Sequence, residues 1–472
     1  MTALQRADTV RPMTPSAHYL STRGQAPRAD FAEALLRGMA PDGGLYMPEA
    51  WPTLPARATN TRADYKAIGL DVLPAFVGDA LPTGALERAL DALVAGFGHP
   101  AVTPLVQLED GLFLLELFHG PTAAFKDLAM QLVAALADEA LQASGKRLTL
   151  LTATSGDTGA AAVRAFAGKD RIRLVVLHPL DRVSAVQRRQ MTTVGADNVL
   201  NLAVRGDFDD CQRLVKGLLG EESLREHSRL SSVNSINWAR LAGQIPYYVS
   251  AAQDLGDAAG QATYVVPTGN FGDAFAGWAA RRMGLPMGGI LAATNRNDAL
   301  VRALDSGIYE RLQAAPTASV SMDVQTPSNF ERLVFEASGR DSALTRGVFQ
   351  DFARHGRVSL PEDLLAALRR EVSAVSISET ETADEIARTY RQTGRVVCPH
   401  TAVALCAARR LDRSAGPVVA LSTAHPAKFP ESVEAVLGFA PERPPQLEGL
   451  EGRVEVFETI DPTLDAVRAA IR

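Results

Sequence analysis

One lysine of this chain, Lys126, occupies a position where its amine could do chemistry. Residues 112–118 form a near-continuous apolar run, which predicts a strand buried on both faces. Turn residues follow, and from Ala123 onward apolar side chains recur at helical spacing. Lys126 then falls in the first turn of a helix, where the helix dipole and burial both lower the pKa of an ammonium. We therefore expect a Schiff-base amine or a general base, with a surface lysine as the alternative.

Two further segments could bind anions, because each is a Gly-rich turn between a predicted strand and a predicted helix. They are residues 154–159, TSGDTG, and residues 268–272, TGNFG. In an open α/β sheet such turns gather at the carboxyl ends of the strands, and helix N-termini there present free N–H groups. Neither segment fits a Walker A loop or the dinucleotide GxGxxG pattern. A nucleotide enzyme is therefore disfavoured, and tight packing of the turns is the alternative to ligand binding.

The elements that must position these residues alternate between strand and helix from Thr103 onward. This alternation is typical of βαβ units, so we predict an α/β fold with parallel strands. Residues 333–391 are predicted to be mostly helical, with a capping box formed by Thr382 and Glu385. A chain of 472 residues can hold two or three domains. Its first 15 residues are polar and aperiodic, which predicts a loose terminus.

Composition narrows the classes of protein that fit. Hydrophobic residues make up 46% of the chain and charged residues 22%, which is ordinary for a soluble globular protein. The formal net charge of −6, without a long basic run, argues against nucleic acid as a partner. The 3 cysteines are too scattered for a disulfide framework or a zinc site, so no metal is expected. No secretory signal and no apolar run of about 18 residues is visible, so we expect a cytoplasmic protein without a membrane span.

Several of these segments resemble one family. His119-Gly120-Pro121-Thr122, followed by Phe125-Lys126-Asp127, resembles the cofactor-lysine segment of the tryptophan synthase β family, and in particular that of threonine synthases. Four further segments resemble threonine synthases: residues 19–24, 40–48, 234–240 and 423–429. The resemblance covers residues 19 to about 429. It implies a fold-type-II pyridoxal-phosphate enzyme with two parallel or mixed α/β domains and an additional N-terminal domain.

The resemblance also implies domain boundaries and a cofactor. The N-terminal domain would cover residues 1–100, and the small α/β domain would cover residues 149–258. The large cofactor-binding domain would combine residues 101–148 with residues 259–472. The active site is then expected in the cleft between the two α/β domains, with pyridoxal 5'-phosphate as the cofactor.

The same resemblance assigns the site residues. Lys126 is expected to be catalytic and to hold the cofactor as a Schiff base. The expected cofactor-binding residues are Lys126, Gly269, Asn270, Phe271, Gly272 and Thr423. The expected substrate-binding residues are Thr154, Ser155, Gly156, Asp157 and Thr158 at the carboxylate, with Asn234, Ser235 and Arg240 at a phosphate, where the planar fork of arginine fits. Arg23 is interpreted as a surface charge, and the roles of His119, His425 and Lys428, like a contact of Asp157 with the cofactor, stay open.

The implied reaction converts O-phospho-L-homoserine and water to L-threonine and phosphate, the last step of threonine biosynthesis. One alternative is another fold-type-II lyase, such as a serine or threonine dehydratase, which would need no second anion pocket. The other is a non-catalytic homologue. The small-molecule substrate is the expected partner, and the chain is expected to be a monomer or a homodimer.

Overall fold

The computed structural model describes residues 17–220 and 229–471, so the predicted loose terminus at 1–15 lies outside it. The N-terminal part pairs strand β1 (Tyr19–Ser21) with β2 (Tyr46–Pro48) in antiparallel register. Its helices are α1 (Phe31–Arg37), α2 (Ala56–Asn60), α3 (Tyr65–Val72), α4 (Pro74–Val77) and α5 (Ala85–Ala95). Asp30 and Asp64 cap α1 and α3, because each carboxylate accepts a hydrogen bond from an N–H of the first turn.

The larger sheet has six strands in the order β13-β10-β9-β14-β4-β3. Only the pairing of β3 with β4 is antiparallel. The strands are β3 (Leu105–Glu109), β4 (Leu112–Glu116), β9 (Thr263–Pro267), β10 (Gly289–Thr294), β13 (Ser373–Ser376) and β14 (Val418–Ser422). All five residues of β14 are buried, as expected for a central strand that helices cover on both faces.

The smaller sheet is entirely parallel, with strand order β15-β7-β6-β5-β8. Its strands are β5 (Leu148–Ala153), β6 (Ile172–Pro179), β7 (Val199–Val204), β8 (Leu230–Ser232) and β15 (Glu458–Ile460). We predicted that all of 259–472 belongs to the large domain, but β15 pairs with β7 of the smaller sheet. The sequence of this short, exposed strand carries no apolar alternation that could have assigned it to either sheet. The other domain boundaries stay predictions.

The remaining helices cover the two sheets and connect their strands. In chain order they are α6 (Lys126–Ser144), α7 (Asp157–Phe166), α8 (Ala185–Thr192), α9 (Phe208–Gly220), α10 (Trp238–Ala242), α11 (Ile245–Leu255), α12 (Gly272–Arg282), α13 (Ala299–Ser306), α14 (Phe330–Ala337), α15 (Ser342–His355), α16 (Glu362–Glu371), α17 (Glu379–Thr393), α18 (Pro399–Ala408), α19 (Pro430–Leu437) and α20 (Leu464–Ile471). A separate antiparallel pair joins β11 (Ile308–Glu310) to β12 (Arg357–Ser359).

The prediction that residues 333–391 are mostly helical is confirmed, but the predicted capping box is wrong. The capping box is formed by Ser378 and Glu381 at the start of α17, whereas Thr382 lies inside the helix and donates its hydroxyl to the Ser378 carbonyl oxygen. The segment also contains the edge strand β13, which pairs with β10 in parallel register. Because four half-exposed residues show no clear period, only the neighbouring strand reveals this element.

The position of α6 matters most for the site. The strand predicted at 112–118 is β4, which ends at Glu116. The predicted helix is α6, and Lys126 is its first residue. Leu128, Leu132 and Leu136 point into the main hydrophobic core, so the helix is anchored along its inner face. This anchoring fixes the start of the helix at the carboxyl end of the larger sheet.

Candidate active site

The predicted site residues come together around one cavity of about 720 Å³. Residues of both sheets and of the N-terminal part line this cavity. The lining includes Lys126, Thr154, Ser155, Asp157, Thr158, Asn234, Ser235, Arg240, Gly269, Asn270, Phe271, Gly272 and Thr423. The exception among the predicted residues is Gly156, which packs behind the loop. Its φ of 136° and the closeness of the Gln187 carboxamide, 2.4 Å from a Cβ built there, leave no room for a side chain.

The amine of Lys126 lies in this cavity and has one hydrogen-bond partner in the described part of the chain, Asp157 Oδ2 at 3.4 Å. Removal from water lowers the pKa of Lys126, and the cations of Lys428 and Arg240 lower it further, while Asp157 opposes them. The predicted lowering by burial is therefore confirmed. A lysine that loses its proton more readily has a larger fraction of the uncharged amine, which is the form that acts as a nucleophile or a base.

Asp157, the first residue of α7, lies between two lysines. Its Oδ1 is 3.0 Å from Nζ of Lys428, opposite the 3.4 Å contact with Lys126. Gln187 Nε2 and Ser321 Oγ each donate to the carboxylate at 2.9 Å. Burial alone would raise the pKa of Asp157, but Lys428 and Lys126 hold it well below its usual range. Lys428, whose role the sequence left open, is fully buried and therefore is not a surface lysine.

The loop 268–272 leads from β9 into α12. The first N–H groups of a helix have no partner within it, and they favour an anion. Phe271, not a glycine, takes the left-handed conformation of this loop, with φ 62°. A Cβ on Gly269 would lie 2.8 Å from the Ser321 carbonyl oxygen, whereas one on Gly272 would lie 3.3 Å from Asn329 Nδ2 and 3.8 Å from Ser235 Cβ. Gly269 is thus required by packing, and Gly272 leaves open backbone at the helix start.

The guanidinium of Arg240 is buried in the cavity wall on α10. Its Nη1 donates to the Val233 carbonyl oxygen at 2.7 Å, but Nε is buried and has no hydrogen-bond partner among the residues that the structure describes. No ion pair to Arg240 occurs within residues 17–220 and 229–471. Burial lowers the pKa of this guanidinium to about 10. A buried cation without an anion is costly, so the geometry fits an anionic ligand at this point.

Thr423 follows β14 and lines the cavity with only 6% of its surface exposed. Its carbonyl oxygen accepts a hydrogen bond of 2.8 Å from the N–H of Phe125. The residue before Lys126 is therefore joined to the end of the central strand.

Sequence reasoning missed His400 and placed Arg23 outside the site, yet both line the cavity. Burial lowers the pKa of His400 to about 4, and its Nε2 accepts from the Ser321 N–H at 3.1 Å, so the ring is neutral. Arg23 forms a two-pronged ion pair with Glu331 at 3.0 and 2.9 Å. For Arg23, the only signal in the sequence was the resemblance of segment 19–24, because an isolated arginine is usually a surface charge.

His119 and His425 do not line this cavity. His119 Nε2 lies 2.8 Å from Glu116 Oε2, and His425 lines a separate cavity of about 250 Å³ with Glu116 and Arg395. Within the described residues, no group of three or more His, Cys, Asp or Glu is arranged to hold a metal ion. No helix among them is long and apolar enough to cross a membrane.

Three family descriptions match successive parts of the chain. "Pyridoxal-phosphate dependent enzyme" matches residues 97–423, "Threonine synthase N terminus" matches 18–93, and "Threonine synthase, C-terminal" matches 401–471. The fold and the site thus define a fold-type-II pyridoxal-phosphate-dependent enzyme.

Relatives along almost the whole chain narrow this class. Threonine synthase from Pseudomonas aeruginosa is 43% identical, over 96% of this chain and 97% of its own length. The crystal structure of pyridoxal-phosphate-bound threonine synthase from Brucella melitensis matches with a TM-score of 0.91 at 46% identity, covering 97% of this chain and 99% of that one. Yeast threonine synthase matches with a TM-score of 0.89 at 34% identity, covering 97% and 98%. This chain belongs to the threonine synthase family.

Proposed function

We propose that this chain converts O-phospho-L-homoserine and water to L-threonine and phosphate. The observation that carries the proposal is the buried Arg240 guanidinium, which faces the same cavity as Lys126 and, among the described residues, has no carboxylate partner. A substrate phosphate would supply the missing anion. A serine or threonine dehydratase acts on a substrate without phosphate and has no use for such a cation. The geometry therefore favours the phosphorylated substrate.

The cavity also fits pyridoxal 5'-phosphate. The Lys126 amine, which lies in the cavity, would hold the aldehyde, and the open backbone around Gly272 at the start of α12 would hold the phosphate. The Thr423 hydroxyl would stand against the ring nitrogen. When bound, the cofactor supplies an electron sink for the bond that loses its proton next to the substrate nitrogen.

The residues of the chain then bind and orient the substrate. Ser155 and the first-turn N–H groups of α7 would hold its carboxylate. The nearby carboxylate of Asp157 does not prevent this, because Lys428 offsets its charge. Arg240, Asn234 and Ser235 would hold its phosphate. The amine of Lys126 would take the proton from Cα and return protons later, because it lies in the cavity and its pKa is lowered.

Water is excluded during the proton transfers but enters later as a reactant. We therefore expect the two α/β domains to close on the substrate and to reopen in part. The proposal extends to a cytoplasmic location, to a monomer or a homodimer, and to the absence of a nucleic-acid partner, which all stay predictions from the sequence.

The test is a stoichiometric product assay. Purified protein is incubated with pyridoxal 5'-phosphate and O-phospho-L-homoserine, and inorganic phosphate and L-threonine are measured in the same samples. We expect the two products in equal amounts. Conversion of L-threonine or L-serine to an oxo acid and ammonia, without phosphate release from O-phospho-L-homoserine, would instead establish the dehydratase alternative.

A further inference from the structure

Lys428 is a fully buried ammonium whose three N–H groups each have an acceptor. Nζ lies 2.7 Å from the Thr122 carbonyl oxygen, 2.9 Å from Gln190 Oε1 and 3.0 Å from Asp157 Oδ1. An uncharged amine has only two N–H groups, so three acceptors fit the protonated form. The site therefore holds a fixed positive charge directly behind Asp157.

Lys126 contacts the same carboxylate, but over a longer distance and with fewer hydrogen-bond acceptors around it. Its contact with Asp157 is 3.4 Å long, and in the described part of the chain no second acceptor lies within hydrogen-bond distance of its Nζ. The ring of Phe125, with its centroid 4.9 Å away, is its other near neighbour. Of the two lysines on Asp157, Lys428 therefore holds its proton by geometry, and Lys126 is the one that can release it.

We propose that Lys428 is a positioning residue, whose buried charge neutralises Asp157 and keeps the Lys126 amine in its uncharged, reactive form. Two electrostatic effects act in the same direction. The Lys428 cation repels a second cation on Lys126, and it offsets the carboxylate that would otherwise stabilise that cation. This inference rests on the proposed function insofar as Lys126 is the reactive amine of the site.

Other charged or titratable groups face this pair from several elements. Arg240 of α10, His400 of α18 and Asp273 of α12 interact with Lys126. Asp127 of α6, His400 and His425 interact with Lys428. Lys428 contacts Asp157 directly, and Asp157 contacts Lys126. Removing Lys428 therefore acts on Lys126 in two ways, by the loss of the Lys428 charge and by leaving the Asp157 charge without that partner.

The first experiment measures the proton affinity of Lys126 without any reaction on substrate. Full-length protein freed of cofactor is acetylated with a trace of acetic anhydride between pH 6 and pH 10, and labelling of Lys126 is followed by mass spectrometry against the exposed Lys146. In Lys428→Met the midpoint for Lys126 should rise by about one pH unit or more, which is about tenfold slower labelling below the midpoint. An unchanged midpoint would overturn the proposal.

Gln190→Met is the matched control, because it removes a neutral partner of Lys428 from the same network and leaves every charge in place. Its midpoint should equal that of the wild type. An equal shift in both variants would assign the effect to disturbed packing and would also overturn the proposal. If Lys428→Met does not fold, Lys428→Gln replaces it, since the amide can still donate to Asp157. If neither folds, Lys428 serves the folded structure and the proposal fails.

The second experiment uses the protein with cofactor bound. The visible absorbance of the cofactor is titrated with pH in wild type, Lys428→Met and Gln190→Met, and a rise of the midpoint of about one pH unit is expected only in Lys428→Met. A wild-type protein without a visible band, or without a borohydride-stable label on Lys126, would refute the proposed function. A normal band whose midpoint does not move in Lys428→Met would refute the role of Lys428 alone.

Discussion

The carbonyl oxygen of Thr423 accepts a hydrogen bond of 2.8 Å from the N–H of Phe125. This contact joins the end of the central strand β14 to the residue directly before Lys126. The isolated bridge between Ala124 and Ala424 extends the same pairing. The segment after β14 thereby fixes the start of α6, although it lies about 300 residues further along the chain. Lys126 and the Thr423 side chain consequently face the same cavity.

Lys126→Ala should abolish formation of L-threonine, because it removes both the amine that holds the cofactor and the base that moves protons. The variant should still fold, since within residues 17–220 and 229–471 the side chain of Lys126 makes a single long polar contact, with Asp157 at 3.4 Å. The measurement is threonine formation from O-phospho-L-homoserine under saturating cofactor, together with the visible absorbance of the cofactor.

The matched control for this prediction is Lys146→Ala, which removes an exposed lysine from the loop after α6. It should retain the activity and the absorbance band of the wild type. Threonine formation at the wild-type rate by Lys126→Ala would refute the assignment of Lys126.

Much of this site was predictable from the sequence, because its strand-to-helix turns are rich in glycine and small polar residues. Residues 154–159 and 268–272 directly follow β5 and β9, as predicted, although α7 already begins at Asp157. Regular alternation of buried strands and amphipathic helices supplied this information. The resemblance supplied the chemistry, which spacing alone left open.

What the sequence could not give are contacts between distant segments. The burial of Lys428 depends on partners at Thr122 and Asp157, and the role of His400 depends on the backbone of Ser321. No local pattern distinguishes such residues from surface charges, since their environment is created by tertiary packing. The same holds for Arg23, whose partner Glu331 lies 308 residues away.

Gly272→Ala should weaken cofactor binding more than it weakens the fold. A Cβ there meets Asn329 Nδ2 at 3.3 Å, which small adjustments can relieve, but it covers backbone at the start of α12. Gly269→Ala should instead lower both affinity and stability, since its Cβ would lie 2.8 Å from the Ser321 carbonyl oxygen. Equilibrium dialysis with pyridoxal 5'-phosphate and urea unfolding of the cofactor-free protein measure the two quantities.

Gly347→Ala is the control for both glycine variants. Gly347 lies within α15, and no neighbouring atom of the described residues lies within 4 Å of a Cβ built on it. This change should leave cofactor affinity unaltered and should stabilise the helix by up to about 1 kcal/mol. If Gly272→Ala bound the cofactor as tightly as Gly347→Ala, the loop 268–272 would not be the phosphate site.

His400→Asn should make the stability of the cofactor-free protein less sensitive to acid. The pKa of His400 is lowered from 6.5 to about 4 in the fold. Between these values the unfolded chain binds a proton that the folded chain does not, so the free energy of unfolding falls as the pH falls. The full effect is about 3 kcal/mol, of which about 2 kcal/mol is lost at pH 5.

Urea unfolding at pH 7 and pH 5 checks this prediction as a difference between proteins. Buried acids such as Asp127 and Asp273, whose pKa values are raised to about 6, titrate in the opposite sense but are present in both proteins. The loss of stability from pH 7 to pH 5 should be about 2 kcal/mol smaller in His400→Asn than in the wild type. His355→Asn, which changes an exposed ring, should retain the wild-type loss, and an equal loss in His400→Asn would contradict the prediction.

Arg240→Lys tests the substrate phosphate site most sharply. Lysine keeps a positive charge but lacks the planar fork, and Nη1 of Arg240 is already engaged by the Val233 carbonyl oxygen at 2.7 Å. The substrate would then lose one of the remaining N–H donors of the guanidinium, in a geometry that lysine cannot reproduce. Loss of one charge-assisted hydrogen bond costs about 1.5–3 kcal/mol, which lowers kcat/KM by about 10- to 150-fold.

Steady-state kinetics with O-phospho-L-homoserine and the absorbance spectrum of the bound cofactor are measured on the same preparation of Arg240→Lys. The spectrum should match the wild type, because Arg240 is assigned to the substrate and Lys126 to the cofactor. Arg354→Lys, an exposed change on α15, should leave kcat/KM unaltered. An unaltered kcat/KM in Arg240→Lys, or loss of cofactor from the folded variant, would show that this buried guanidinium serves something other than the substrate phosphate.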